Sequence, residues 1–316
     1  MNKPKLSVVL ACYNSEFSVE RTIKSIKAQT LKDFECLVID DGSGDGTIKI
    51  IEKLIGNDLR FKIYCFEENQ GVSYAKNYGI KHAKTSLVSF IDSDDYISPF
   101  LFEKLLNAHN KTSADIVFCD VVEESDYQYR NLFVFDRKAE IITKEVFLKK
   151  LIKDKEIKSW FHGKLFSKKL FEGNYLKGRK LEDFLLFPNL VIKANYVAYI
   201  PYTGYHYEIR ENSLSRVLTA REKFEFLKYA EERKNWVRKT RPALMVEANS
   251  CLASFYNNFI TTAREEKHNA LNFLFEKNHR LFVRRQFPNL VLNKEISWKR
   301  RLIILIIFLY SWTVKE

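Results

Sequence analysis

The front of this chain alternates short apolar runs with stretches of helical spacing, and two of the runs end in aspartates. The runs lie at 6–12, 36–39, 61–66 and 87–91, with helical stretches between them at 19–28, 47–54 and 71–83. Such short connections in β-α-β-α-β-α-β order predict a mostly parallel sheet flanked by helices, an α/β fold. In open sheets of this kind ligands gather outside the carboxyl ends of the strands. Here the run 36–39 continues into Asp40-Asp41-Gly42-Ser43-Gly44-Asp45-Gly46-Thr47, and the run 87–91 into Asp92-Ser93-Asp94-Asp95. Carboxylates this close repel one another, and burying them unpaired is costly. A cation resolves the repulsion. Oxygen-only ligands suit a hard divalent ion, Mg²⁺ or Mn²⁺, shared with substrate phosphates. Two acidic strand ends therefore predict one shared site for a phosphorylated ligand.

Further on, spacing predicts helices at 99–109, 143–152 and 182–193, strands at 115–122 and 196–200, and an aromatic strand or hairpin at 127–137. Pro188 is expected to kink or shorten its helix. From Arg216 helical periodicity and charge dominate, which places a domain boundary at 215: a catalytic-type domain over 1–215 and a helical extension over 216–316. Residues 1–215 carry 32 Lys and Arg against 30 Asp and Glu, whereas 216–316 carry 20 against 10. A basic back half points to an anionic surface as partner. Nucleic acid is disfavoured because no recognition motif accompanies the charge. The five cysteines are scattered and odd in number, which fits reduced thiols in a cytoplasmic protein. The N-terminus has no apolar signal-peptide core.

Four strings together resemble the front half of family 2 glycosyltransferases of the GT-A fold. They are Ser7-Val8-Val9-Leu10-Ala11-Cys12-Tyr13-Asn14, the Asp40–Thr47 string, Asn69-Gln70-Gly71-Val72-Ser73-Tyr74-Ala75-Lys76-Asn77, and Asp92-Ser93-Asp94-Asp95. Each alone is weak; their order and separations carry the resemblance over about a third of the chain. It implies an inverting enzyme that moves a sugar from a nucleotide-diphosphate donor, a UDP-sugar by preference, to a glycan or lipid-linked acceptor. The resemblance places Ala11, Tyr13, Asp41, Lys76 and Asp92 around the donor nucleotide. Tyr13 follows a strand end and suits stacking on a base. Asp41 suits the imide N–H of uracil, while Asp40 supports its own loop. Lys76 opens a helix and suits the diphosphate, against the plainer reading of a solvated lysine. Asp94 is the expected metal ligand, and Asp92 a ribose or metal-shell contact.

The Asp41–Glu52 loop also matches EF-hand ligand spacing. An EF-hand needs a helix before the loop, and a short apolar run precedes this one. Lys180-Leu181-Glu182-Asp183 resembles the family's acidic pair at a helix start. This makes Asp183 the expected general base, with Glu182 shaping the acceptor site. Acidic residues are favoured at helix starts in any case. Trp160-Phe161-His162 resembles a stretch near the acceptor, with Trp160 suited to a sugar face and His162 to the acceptor; a buried aromatic cluster is the rival reading. The stretch 205–215 resembles a late loop over the diphosphate. Relatives carry arginine where Glu208 stands, so Arg210 is the substitute donor contact, and His206 a further metal ligand.

At the back, Lys299-Arg300-Arg301 precedes nine apolar residues, 302–310, flanked by Trp298 and Trp312. A helix of about 13 Å does not span a bilayer. The expectation is peripheral attachment to the inner membrane face, with packing against the catalytic domain or a second copy in a homo-oligomer as the alternatives. Two other functions compete with transfer. A metal-dependent nucleotidyltransferase usually carries a Gly-rich basic loop after its first strand, unlike Tyr13-Asn14-Ser15-Glu16. A non-catalytic nucleotide-binding scaffold is the other.

Overall fold

β1 (Leu6–Cys12) is apolar on both faces and lies between two parallel neighbours, β2 (Phe34–Asp40) and β4 (Leu87–Asp92). A strand covered on both sides has no use for polar alternation, which is why its sequence reads as one apolar run. β3 (Phe61–Cys65) pairs outside β2, so this half of the sheet runs β3-β2-β1-β4, all parallel. The connections are α1 (Val19–Lys27), α2 (Thr47–Ile55) and α3 (Val72–His82). The computed structural model describes residues 3–125, 128–131, 141–174, 176, 181–209, 218–266, 277–294 and 296–311.

Alternate residues of β1 serve opposite faces. Leu6, Val8 and Leu10 share one core cluster with Val19, Ile23 and Ile26 of α1 and Ile51 and Ile55 of α2. Val9 meets α3, so closely that a Cβ built at Gly79 would lie 2.4 Å from its Cγ1. Gly79→Ala is therefore expected to cost about 1–3 kcal/mol despite its better helix propensity, because a β-branched side chain in a strand has nowhere to turn. Urea unfolding measures this, and an unchanged midpoint would refute the close approach.

Beyond β4 the sheet becomes mixed. β9 (Lys164–Ser167) pairs antiparallel with β4 and with β6 (Ile116–Ser125). β10 (Val197–Glu208) pairs parallel with β6 and antiparallel with β5 (Tyr96–Ile97). Two short strands, β7 (Gln128–Asn131) and β8 (Ile141–Ile142), lie off this path. The strand expected at 196–200 thus continues to Glu208, through register shifts between residues 200 and 205, and takes in part of the expected late loop. Helices α4 (Leu101–Thr112) and α5 (Lys144–Lys153) follow the expected positions. α6 (Glu182–Lys193) runs unbroken through Pro188, with Phe184, Phe187, Leu190 and Val191 all buried around it. Burial of that apolar face outweighs the proline's missing hydrogen bond.

The chain divides into two units: 1–151 with 156–210, and 152–155 with 211–316. In the second unit, α7 (Ala220–Thr240) opens with a capping box between Thr219 and Glu222. With α8 (Met245–Glu265) and the helices Lys277–Val291 and Trp298–Ser311 it encloses a separate core. That core includes Phe224, Leu227, Tyr256, Phe259, Phe282, Ile304 and Ile307. Among the described residues no helix is long and apolar enough to cross a membrane.

Candidate active site

The two acidic strand ends flank β1. Cys12 lies opposite Asp40 of β2, and Ala11 opposite Asp92 of β4, so both ends open at the same edge. The loops that leave this edge are stitched together. Asn14 takes the Gly44 N–H on its side-chain oxygen at 2.9 Å and gives its own N–H to Ser43 Oγ at 2.9 Å. Glu16 accepts the Gly46 N–H at 2.8 Å, and Ser15 Oγ meets Ser93 Oγ at 2.7 Å. Asp40 accepts both the N–H and the hydroxyl of Ser43 and so holds its own loop. Gly42 is needed there: its φ is +75°, and a Cβ would lie 2.8 Å from the backbone of Glu68. A strand precedes this loop, which excludes an EF-hand.

Asp41 is buried and accepts the N–H groups of Gln70 and Gly71, each at 2.8 Å. The anion at the start of α3 is thus supplied by the chain itself. Each carboxylate oxygen keeps a further lone pair for a ligand. Tyr13, 49% exposed, stands on the adjoining loop.

Lys76 does not reach out to solvent. It is 8% exposed, and its Nζ lies 3.3 Å from Asp92 Oδ1 and 3.8 Å from Asp183 Oδ2. It forms an internal bridge joining the end of β4 to the start of α6. Burial alone would lower the lysine pKa, but Asp183 and Asp92 outweigh it and hold the ammonium charged well above the usual range. Asp92 responds in kind. Burial pushes its carboxyl up, yet Lys76, with His162, brings it well below the ordinary value. His162, 5% exposed, places Nδ1 3.3 Å from Asp92 Oδ2. It therefore faces the aspartate. Its ring stacks on Tyr205 at 4.6 Å, and half-buried Trp160 lies 4.8 Å from it and 5.6 Å from Tyr207. Asp183 accepts the Phe161 N–H at 3.2 Å. It sits in the first turn of a helix entered through Leu181, whose φ of 57° is strained for a residue with a Cβ.

Asp95 is fully buried. Its Oδ2 accepts the Tyr205 hydroxyl at 2.6 Å and its Oδ1 the Glu208 N–H at 3.1 Å. Burial, then the charges of Asp94 and Asp92, push its carboxyl well above the usual range. The residue ties β10 to the acidic turn and does not cap the next helix. Glu208, where an arginine was expected, pairs with Arg21 of α1 at 2.5 Å, and Arg21 also lies over the Tyr96 ring at 4.2 Å. His206 has both nitrogens engaged, Nδ1 with Glu124 at 2.9 Å and Nε2 with Ser98 at 2.9 Å. Binding a metal would require His206 to give up one of these bonds. Arg210 lies outside the described residues. Nothing in the sequence flagged Arg21 or Glu124, or the tie from Tyr205 to Asp95, because each finds its partner far along the chain.

Among the described residues, one group of side chains could hold a divalent ion. Ligand atoms of Asp92, Asp95 and His162 lie within 4.8 Å of one another. Asp95 already accepts one hydrogen bond on each oxygen and Lys76 stands beside Asp92, so an ion there would share these carboxylates with their present partners. Asp94 is half-buried on the same turn.

A parallel sheet with nucleotide-type loops, carried on into antiparallel strands, defines a GT-A fold. Consistent with this, the structure superposes on S. aureus TarS 1-349 in complex with UDP-GlcNAc with a TM-score of 0.70 at 19% identity, covering 97% of this chain and 88% of that one. The sequence model of glycosyl transferase family 2 matches residues 7–173, and the chain belongs to that family. Glycosyltransferase GlyA of Streptococcus pneumoniae serotype 4 is 30% identical over 232 residues, 68% of this chain and 32% of that protein. The GalNAc(5)-diNAcBac-PP-undecaprenol beta-1,3-glucosyltransferase of Campylobacter jejuni is 30% identical over 188 residues, 57% of this chain and 55% of that protein. The chain therefore spans less than two thirds of either relative.

Proposed function

We propose that the chain transfers a sugar from a UDP-sugar to a hydroxyl of a glycan or lipid-linked acceptor at the inner face of the cell membrane, with inversion at the anomeric carbon. The observation that carries this reading is the junction at Lys76, where the nucleotide-side Asp92 and the helix-start Asp183 meet one cation. Tyr13 stacks on the base and Asp41 accepts the uracil imide N–H through a remaining lone pair. Asp92, clamped by Lys76 and His162, meets the ribose. Asp183 takes the proton of the acceptor hydroxyl as its oxygen attacks the anomeric carbon, and the bond to the diphosphate breaks on the opposite face. Glu182 and Trp160 shape the acceptor side. Asp94 would hold a divalent ion, Mn²⁺ or Mg²⁺, whose charge would offset that of the departing diphosphate. The lipid-linked acceptor is supported by the Campylobacter relative, whose name places its substrate on undecaprenol.

Calorimetric titration with UDP, with and without Mn²⁺, tests the donor half. Metal-dependent binding is expected, weakened at least about tenfold in Asp94→Ala. Binding indifferent to both metal and substitution would overturn the assignment of Asp94. Screening UDP-glucose, UDP-galactose and their N-acetyl forms for turnover then names the sugar.

A further inference from the structure

The helix Trp298–Ser311 is not used by the transfer reading, and its two faces differ. Ile304 and Ile307 are buried in the core of the second unit, with Ile303 and Phe308 packed against it, and Phe308 stacks on Phe287 at 3.8 Å. The apolar run seen in the sequence therefore does pack, but through one face only. On the other face Trp298, Leu302, Leu305, Ile306 and Leu309 are 39–70% exposed. Their spacing of three and four residues places them in one stripe along the helix. A soluble surface rarely carries so continuous an apolar stripe without a use.

The surrounding charge says what covers it. Lys294 and Lys299 are exposed beside the start of the stripe. Arg300 donates to Thr261 Oγ1, and Arg301 to the carbonyls of Asn293 and Ile296. All of these acceptors are neutral, so both guanidinium charges persist. The remaining sequence from 216 onward is basic as well. An apolar stripe with a tryptophan at one end and a cationic border matches the headgroup boundary of an anionic bilayer. A second copy fits less well. Five partly exposed side chains offer on the order of 500 Å², short of the ~800 Å² per partner of a stable dimer. At 14 residues the helix is also too short to span.

We propose that this stripe is a membrane-docking surface, with the helix lying in the plane of an anionic bilayer and its exposed side chains in the headgroup boundary. The proposal goes beyond the transfer reading, since it concerns a different surface and neither depends on the other's residues. The test is co-sedimentation of the full chain with vesicles of phosphatidylcholine alone or mixed with phosphatidylglycerol. Binding is expected on the anionic vesicles and not on the neutral ones, and should weaken as salt is raised. Leu302→Asp with Ile306→Asp should weaken it at least about tenfold. Both positions are exposed, so the melting curve should match that of the parent. If that pair fails to fold, Trp298→Ala with Leu309→Ser serves in its place. Three results would overturn the proposal: no binding to either vesicle, binding unaffected by the stripe substitutions, or a dimer in light scattering that the substitutions dissolve. UDP calorimetry on the same preparations keeps the two readings apart. Normal UDP binding without vesicle binding removes only the docking surface, and the reverse removes only the donor site.

Discussion

Asp183→Asn lowers turnover by at least about 10³-fold while UDP affinity stays within about threefold of the parent. The asparagine keeps the shape of the side chain and an oxygen for the Phe161 N–H, 3.2 Å away, so the start of α6 is preserved. What it loses is the capacity to take a proton, together with the negative charge 3.8 Å from Lys76 Nζ. An acceptor hydroxyl is a poor nucleophile until that proton leaves, so the loss appears in kcat and leaves donor binding largely intact. The measurement is single-turnover transfer beside UDP calorimetry on the same protein. Turnover comparable to the parent would remove Asp183 as base. No turnover in either protein, with UDP still bound, would favour a nucleotide-binding scaffold.

Lys76→Met produces the largest loss of stability. It leaves Asp92 and Asp183 facing each other without their shared cation, and the lysine is nearly inaccessible, so water offers little compensation. Removing one partner of a buried ion pair costs about 3–5 kcal/mol. Adding Asp92→Asn removes one of the stranded charges, so the double variant should recover part of the loss. That non-additivity is the signature of a direct interaction. Lys76→Arg retains the charge but not the compact ammonium, and should fall between the two. Urea unfolding of five proteins, the parent, Lys76→Met, Asp92→Asn, the double variant and Lys76→Arg, decides the matter. A loss below about 1 kcal/mol, or strictly additive effects, would show that the bridge does not hold the site together.

The front of the fold was legible because its information is local. Each strand from β1 to β4 is bounded by its own turn, and the spacing of α1 and α2 names their buried faces. The acidic strand ends were legible for the same reason. The rest depends on distant pairing. Tyr205 reaches Asp95 across 110 residues, and nothing near either one announces the other. β5 and β9 are short and pair antiparallel with strands far away in sequence. Lys76 looks like any lysine on a helix until two carboxylates fold over it. His162 and His206 both turn toward carboxylates of the chain itself, partners 70 and 82 residues away in sequence. The apolar tail misled in a subtler way. An uninterrupted hydrophobic run hides which half of it is buried, because only the packed partners reveal the stripe.

The stitching of the loops after β1, β2 and β4 has a consequence for re-engineering. Asn14, Glu16 and Ser15 each hold a group on a neighbouring loop, so these loops form a single part. Transplanting the Asp40–Thr47 loop from another protein to alter nucleotide choice would strand the partners left behind. A graft that carries Asn14 through Glu16 and Ser93 along with it moves the whole cradle. The exchangeable module here is the set of three loops, and a single loop is too small a unit to swap.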